Sequence, residues 1–465
     1  MVFNSPAFLF MFLPISCALY RLVPGRRAKN ILLCVLSALF YAFGGLAQLP
    51  VLALSAVWNY LLGLLLGREN GRRGLWRTVA VLGDLALLGV YKYLDFALSI
   101  LGLPALSRAL PLPLGISFFT FHAVSYIVDV YRDRSFCQRR FDSLFLYIAF
   151  FPRLLAGPIV RYKEGASQLD DRSVTAEDAV AGLRRLVLGM AKKLLLSESA
   201  AAVANGVYAL APETVSTSLA WLGAVSYCLQ IFFDFSGYSD MAIGLGRLFG
   251  FTFPENFDYP YVSETLSEFW RRWHMSLNRW FTDYLYIPLG GSRGGKWLAV
   301  RNKLIVFFCT GLWHGAGWTF ILWGLWHGLF VSLEGLAKDW LDALRRKGAG
   351  RVLLHAYTLL VVITGFVMFR AVSLSQGFML LGRMFAFRAG ALESALALRA
   401  LLTPARGAFM GLGVLFCLPV GKRLASRLEG DRWEIAKNAA ALLGLLLCVL
   451  ALSGGGFSPF IYQQF

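Results

Sequence analysis

The chain of 465 residues is 57% hydrophobic and 15% aromatic, and only 15% of it is charged, against roughly 25% in soluble domains. A soluble globular protein is thereby excluded: apolar runs of roughly 17–25 residues recur from end to end, each long enough to cross a bilayer. The net charge of +18 does not indicate a nucleic-acid partner, because Lys and Arg gather in short loops between apolar runs, as in the cytoplasmic loops of a polytopic helical membrane protein.

The first apolar run, residues 5–23, has no cation before it and Arg21, Arg26, Arg27 and Lys29 at its end. A signal peptide has the opposite polarity, so the run is expected to be a retained helix with its N-terminus outside. Residues 30–46 then leave the cytoplasm, the uncharged "GGLAQLP" turns outside, and residues 51–67 re-enter. The loop carrying Arg68, Arg72, Arg73 and Arg77 is cytoplasmic, residues 78–103 exit, and 113–128 return to the loop with Arg132, Arg134, Arg139 and Arg140. Positive loops fall on one side throughout. Pro152, Gly157 and Pro158 are expected to break the helix that follows, leaving backbone groups that must face protein or a water-filled cavity. Residues 161–196 read as an amphipathic segment at the cytoplasmic interface, with Ser173, Glu177 and Asp178 opening a helix, or as a solvated connector.

Residues 234–295 are too polar to span and too aromatic to be solvated. Trp270, Trp273, Trp280, Tyr284 and Tyr286 lie among Arg271, Arg272, Arg279, Lys296 and Arg301. That mixture suits the headgroup zone, where helices lie flat or re-enter, and a cationic aromatic entrance would also attract an anionic donor.

Between Lys303 and Lys338 the only formal charge is Glu334, and the triplet Trp-His-Gly occurs twice, at His314 and His327. The segment is short for two crossings, so a broken or re-entrant hairpin is expected, with Gly315-Ala316-Gly317 as the break. His314 lies eleven residues after Lys303 and His327 eleven before Lys338. At ~1.5 Å per residue both sit about 16 Å deep, near the middle of a ~30 Å hydrocarbon layer. Ionisable residues at such depth point to function, and imidazole is suited to proton transfer near neutral pH, yet either ring could equally bond across helices. The five histidines and seven cysteines show no metal-ligand spacing, and no metal is expected. No soluble domain or repeat interrupts the chain, which reads as a single membrane domain over 1–465, with the interfacial segments at about 161–196 and 255–300 and a tail at 454–465.

Seven stretches together resemble the membrane-bound O-acyltransferase (MBOAT) family: "YKYLDF", "LPLGISFFTFHAVSYIVDVYR", "FPRLLAGPIVRY", "FFDFSGYSDMAIGLGRLFGF", "NFDYPY", "EFWRRWHMSLNRWFTDYLYIPLGG" and "GLWHGAGWTFILWG". The nearer likeness is to the bacterial branch that acylates cell-surface polymers, of the alginate O-acetyltransferase membrane-subunit type. The resemblance implies an all-α polytopic transmembrane protein with broken or re-entrant helices around a central channel. It implies an O-acyltransferase without a bound cofactor, taking acetyl-CoA or another thioester as donor in the bacterial cytoplasmic (inner) membrane. An SGNH-type transferase outside the cell membrane would be its partner, beside membrane lipids.

By the same resemblance His314 is the invariant family histidine and His274 a second one, whereas His327 has no such role there and is assigned mostly to structure. Acyl transfer to a hydroxyl needs a base for its proton and donors for the oxyanion. His314 is the base candidate. Arg271, Arg272, Asn278, Arg279 and the amides near Gly315 and Gly317 are the donor-site and oxyanion-site candidates, and His274 suits donor positioning. The tail "GGGFSPFIYQQF" resembles the family's terminal aromatic motif and makes Tyr462 the candidate acyl acceptor; an aromatic tail anchored among headgroups is the alternative. The loop count places this tail outside, with the segment 371–406 ambiguous. Other polymers are open as acceptors: peptidoglycan, cellulose or teichoic acid. A proton-coupled transporter is the reading from a different class, against which stands the absence of internal repeats.

Overall fold

The computed structural model describes residues 3–69, 71–103, 110–387, 390, 392–427, 430–453 and 460–461. Among them the chain is helical, without a strand. Five stretches are long and apolar enough to cross a bilayer: Arg26–Gly67, Thr217–Leu248, Trp318–Leu336, Gly348–Arg370 and Asp431–Ser453. The described residues form two compact units. One holds the N-terminal part through Leu186 together with Tyr238–Glu255; the other holds Val187–Gly237 and Asn256–Ile461.

In the N-terminal unit the helices Arg26–Gly45 and Leu49–Gly67 are separated by a short turn at Leu46–Gln48, where the sequence places its uncharged loop. The next helix starts at Arg73, inside the basic loop rather than at residue 78. From that position the Arg73 guanidinium donates to the carbonyls of Leu66 at 2.9 Å, Val130 at 3.1 Å and Tyr131 at 3.0 Å. A cation there satisfies the orphan carbonyls at the ends of two helices. The helix Ile116–Arg132 is buried nearly throughout.

The expected break after Ala149 is present: a single turn, Phe151–Leu154, lies between Phe141–Ala149 and Tyr162–Asp170. Protein groups take up the freed backbone. Ser37 Oγ accepts from the Phe151 amide, the Tyr147 hydroxyl donates to the Val160 carbonyl, and Ser125 Oγ and Asp129 Oδ2 accept from the Tyr162 and Lys163 amides. Further on, the helix Ala176–Ala191 is opened by Thr175 rather than Ser173: Thr175 Oγ1 accepts from the Asp178 amide and Asp178 Oδ2 from the Thr175 amide. The reciprocal pair is a capping box.

The second unit is built on a hairpin. Its arms, Lys296–His314 and Trp318–Leu336, are 19 residues each, about 28 Å at ~1.5 Å per residue. The chain breaks at Gly315-Ala316-Gly317 as expected, but neither arm is short, because the first begins seven residues before Lys303 and carries Arg301 and Lys303 on its early turns. The arms lie backbone to backbone. A Cβ at Gly311 would meet the Phe320 carbonyl oxygen at 2.5 Å, and one at Gly324 would collide with that of Phe307.

The aromatic segment after Asn256 forms two seven-residue helices, Leu266–Arg272 and Met275–Phe281. Its tryptophans do not serve as headgroup anchors. Trp270, Trp273 and Trp280 are 8%, 2% and 7% exposed, and Trp273 stacks on Phe269 with ring centres 5.5 Å apart. Burying an aromatic of this size stabilises by about 2–3 kcal/mol, more than an interfacial position offers.

Candidate active site

The turn between the two short helices carries His274. Its backbone is left-handed, φ 44° and ψ 52°, a conformation costing about 1–3 kcal/mol for a non-glycine residue. Asn256 holds it there. The Asn256 carbonyl accepts from the Met275 amide at 2.9 Å, and Asn256 Oδ1 accepts from the Ser276 amide at 3.1 Å and the Ser276 hydroxyl at 2.8 Å. A backbone N–H can only donate, so the atom facing it is oxygen. His274 Nδ1, 3.1 Å from that oxygen, must then carry the proton. Nε2 is left as a lone pair, buried and without a hydrogen-bond partner among the described residues.

The helix leading into this turn is held at its N-terminus by two side chains. Thr265 Oγ1 accepts from the Glu268 amide. Glu334, on the second hairpin arm, accepts from the Leu266 amide at 2.6 Å, the Ser267 amide at 2.8 Å and the Ser267 hydroxyl at 2.7 Å. A carboxylate at a helix N-terminus is favoured by the exposed N–H groups and the dipole, and this one ties the His274 segment to the hairpin.

His314 is the last residue of the first arm and is 3% exposed. Aromatic edges surround its ring: Trp313 at 4.9 Å, Trp323 at 5.0 Å and Phe369 at 5.2 Å between centres. Trp313 is also 5.9 Å from the His274 ring, which meets Phe235 at 4.6 Å. The two family histidines thus both contact one indole. His327 lies elsewhere in the same aromatic cluster, packed on Trp270 at 5.1 Å and Trp323 at 5.3 Å. It is fully buried and its nitrogens have no hydrogen-bond partner among the described residues.

The oxyanion and donor candidates are mostly engaged in holding the turn. The Asn278 amide donates to the Trp270 carbonyl at 3.1 Å. Arg272 bridges Glu268 and Asp258, Arg279 Nε donates to the Met275 carbonyl at 3.4 Å, and Arg271 is exposed. The Gly315 and Gly317 amides donate to the carbonyls of Gly311 and Gly315. On the surface side, Glu264 accepts from Arg345 Nε and Arg351 Nε, each at 2.8 Å. The Arg345 guanidinium bonded to it holds the Glu264 carboxyl below the usual glutamate range.

Tyr462 lies outside the described residues; its neighbours Phe460 and Ile461 do not. The Ile461 amide donates to Asp234 Oδ2 at 2.8 Å, and Phe460, 1% exposed, has its ring centre 5.1 Å from Lys193 Nζ. Lys193 in turn pairs with Asp234 at 2.5 Å and Glu198 at 2.9 Å, both Lys193 and Asp234 being buried. Sequence reasoning missed Asn256, Glu334, Asp234 and Lys193 as site residues. Asp234 and Glu334 carried a signal, a charge within an apolar run. Asn256 carried a signal only as the first residue of the family stretch NFDYPY.

The membrane-bound O-acyltransferase family model matches residues 136–375, a span that contains Asn256, both family histidines and Glu334. The chain is 39% identical to a probable alginate O-acetylase of Pseudomonas putida over 100% of both chains. It is 35% identical to a peptidoglycan O-acetyltransferase of Helicobacter pylori over 85% of this chain and 78% of that one. Against a teichoic acid D-alanyltransferase of Bacillus subtilis it is 28% identical over 62% of this chain and 76% of the other. The match over half the chain and the relatives of full length agree with the helical, multi-pass chain, and it belongs to the membrane-bound O-acyltransferase family, as an acyltransferase of the membrane.

Proposed function

We propose that this enzyme O-acetylates an exported polysaccharide of the alginate type, drawing the acetyl group from acetyl-CoA on the cytoplasmic side of the bacterial inner membrane. The observation that carries the reading is that His274 and His314 both pack against Trp313 in a buried aromatic cluster. The resemblance to probable alginate O-acetylases supplies the polymer class.

In this reading His314 takes the proton of the accepting hydroxyl as its oxygen attacks the thioester carbonyl. A C–O bond forms, the C–S bond breaks, and the proton leaves with the thiolate as CoA thiol. His274 positions the donor: its Nε2 lone pair can accept one hydrogen bond from a donor amide. The aromatic walls exclude water, which would otherwise hydrolyse the acyl group. Tyr462 is the first acceptor, carried by a tail whose Ile461 is bonded to Asp234, and an SGNH-type partner outside the membrane then takes the acetyl group to the polymer. Peptidoglycan is the second reading of the acceptor, supported by the Helicobacter relative.

The test is mass spectrometry of the C-terminal peptide after incubating purified enzyme with acetyl-CoA, comparing wild type with His314→Ala and Tyr462→Phe. Acetyl on Tyr462 in wild type and none in His314→Ala is the expected result. Polymer acetylation that needs His314 while Tyr462 stays unmodified would remove the tail from the mechanism and leave direct transfer.

A further inference from the structure

The N-terminal unit contains a cavity of about 800 Å³ that the acyl-transfer chemistry does not use. That volume falls within the ~300–1,000 Å³ of ligand sites. Its lining combines apolar residues, Leu9, Leu13, Leu183 and Leu248, with a basic set, Arg21, Arg26, Lys29 and Arg172, and includes no carboxylate.

The basic set is built rather than incidental. Arg172 is 7% exposed and is fixed by donating to Asn30 Oδ1 at 2.7 Å, to the Tyr20 hydroxyl at 3.1 Å and to the carbonyls of Phe249, Gln168 and Leu169. Arg26 and Lys29 lie on the first turn of the helix Arg26–Gly45, which follows Gly25 at φ 73° and has neither a side-chain cap nor an acidic residue in that turn. Cations at a helix N-terminus oppose the macrodipole, so this end is electrostatically unfavourable as it stands. Arg26 Nη1 is also buried with no hydrogen-bond partner among the described residues; the exposed Asp171 carboxylate is 3.8 Å from Nη2. An anion in the cavity would relieve both the dipole and the unsatisfied donor.

We propose that this cavity binds one anionic phospholipid of the cytoplasmic leaflet. Its phosphate sits between Arg26, Lys29 and the uncapped helix start, and one acyl chain follows Leu9, Leu13, Leu183 and Leu248. The ligand class follows from the lining: a phosphate alone would leave the leucines wet, and a chain alone would leave the cations without an anion. Basic pockets on the cytoplasmic side of helical membrane proteins bind phospholipid headgroups in this way, and the positive-inside rule places residues 24–29 on that side.

Native mass spectrometry of the full-length protein in detergent tests this, titrating phosphatidylglycerol and phosphatidylcholine, and then glycerol 3-phosphate and CoA as competitors. Phosphatidylglycerol is expected to bind more tightly than phosphatidylcholine, and neither soluble phosphate should displace it at equal concentration. The double variant Arg26→Ala/Lys29→Ala should weaken phosphatidylglycerol roughly thirtyfold, two cations' worth, and leave phosphatidylcholine unchanged. Equal affinity for the two lipids, or indifference to the double variant, overturns the proposal. Displacement by CoA or glycerol 3-phosphate also overturns it, and assigns the cavity to a soluble phosphate. Should the double variant not fold, the wild type decides: phosphatidylglycerol affinity must fall about tenfold or more from low to high NaCl, and a salt-independent affinity sinks the idea.

Discussion

At the scale of single residues, the site depends on groups that hold an imidazole in one place and one protonation state. His314 is the proposed base, and His314→Gln should slow acetyl transfer by about 10²–10⁴-fold while the melting temperature in detergent stays within error of wild type. A variant that loses stability along with activity would instead mark His314 as a structural member of the aromatic cluster. Asn256 acts through geometry: it receives His274 Nδ1–H and both Ser276 donors on one oxygen. Asn256→Ala leaves those donors buried without an acceptor, at about 1–3 kcal/mol for each group left unsatisfied. A melting temperature clearly below that of Ser276→Ala is expected, since the latter removes a single bond. Equal melting of the two variants would show that the turn is held by packing alone.

At the scale of elements, the hairpin and the short helix before His274 form one mechanical piece. Gly311 and Gly324 let the two arms touch backbone to backbone, so Gly324→Val should destabilise by about 1–3 kcal/mol through overpacking. A Val variant that melts with wild type would mean that the arms can separate freely. Glu334 joins the second arm to the helix Leu266–Arg272 through three hydrogen bonds to its carboxylate. Bonds to a charged acceptor contribute about 1.5–3 kcal/mol each. Glu334→Ala is therefore expected to be more damaging than any substitution of the exposed Arg271, both in unfolding temperature and in transfer rate. Helix ends were where sequence reading slipped. Two helices start where hydropathy does not put them, at Arg73 and after Thr175; Thr175 sets the second through a cap, which is decided by which amide lies within reach and is not a property of a sliding window.

At the scale of the whole molecule, charge and topology make the remaining predictions. Glu264 is held by Arg345 and Arg351, with its folded pKa below the ordinary value of about 4.5. The stability it contributes is therefore complete above the ordinary glutamate pKa. It is lost as pH falls through the depressed folded value. Wild type should lose unfolding temperature on acidification below about pH 4.5 more steeply than Glu264→Gln, which has no such group to titrate; parallel acid limbs would contradict this. The loop count puts the C-terminal tail outside, so Gln464→Cys should react with a membrane-impermeant maleimide added to intact cells. Labelling only after the membrane is opened would place the proposed acceptor on the donor's side and end the trans-membrane transfer scheme.

What could be read from residue order was the broad pattern of transfer between water and hydrocarbon, together with local chemistry. The apolar runs, the basic loops, the break at Gly315-Ala316-Gly317 and the family motifs with His274 and His314 are of this kind, since each is carried by neighbours along the chain. The buried roles of Trp270 and Trp273, the grip of Asn256 on His274, the Glu334 cap and the pinning of Ile461 by Asp234 were decided only by the tertiary structure. Their partners stand 18, 68 and 227 positions apart in the hydrogen bonds concerned. Whether a polar side chain in an apolar protein is a liability or a support depends on the group it meets, and that meeting is made by packing.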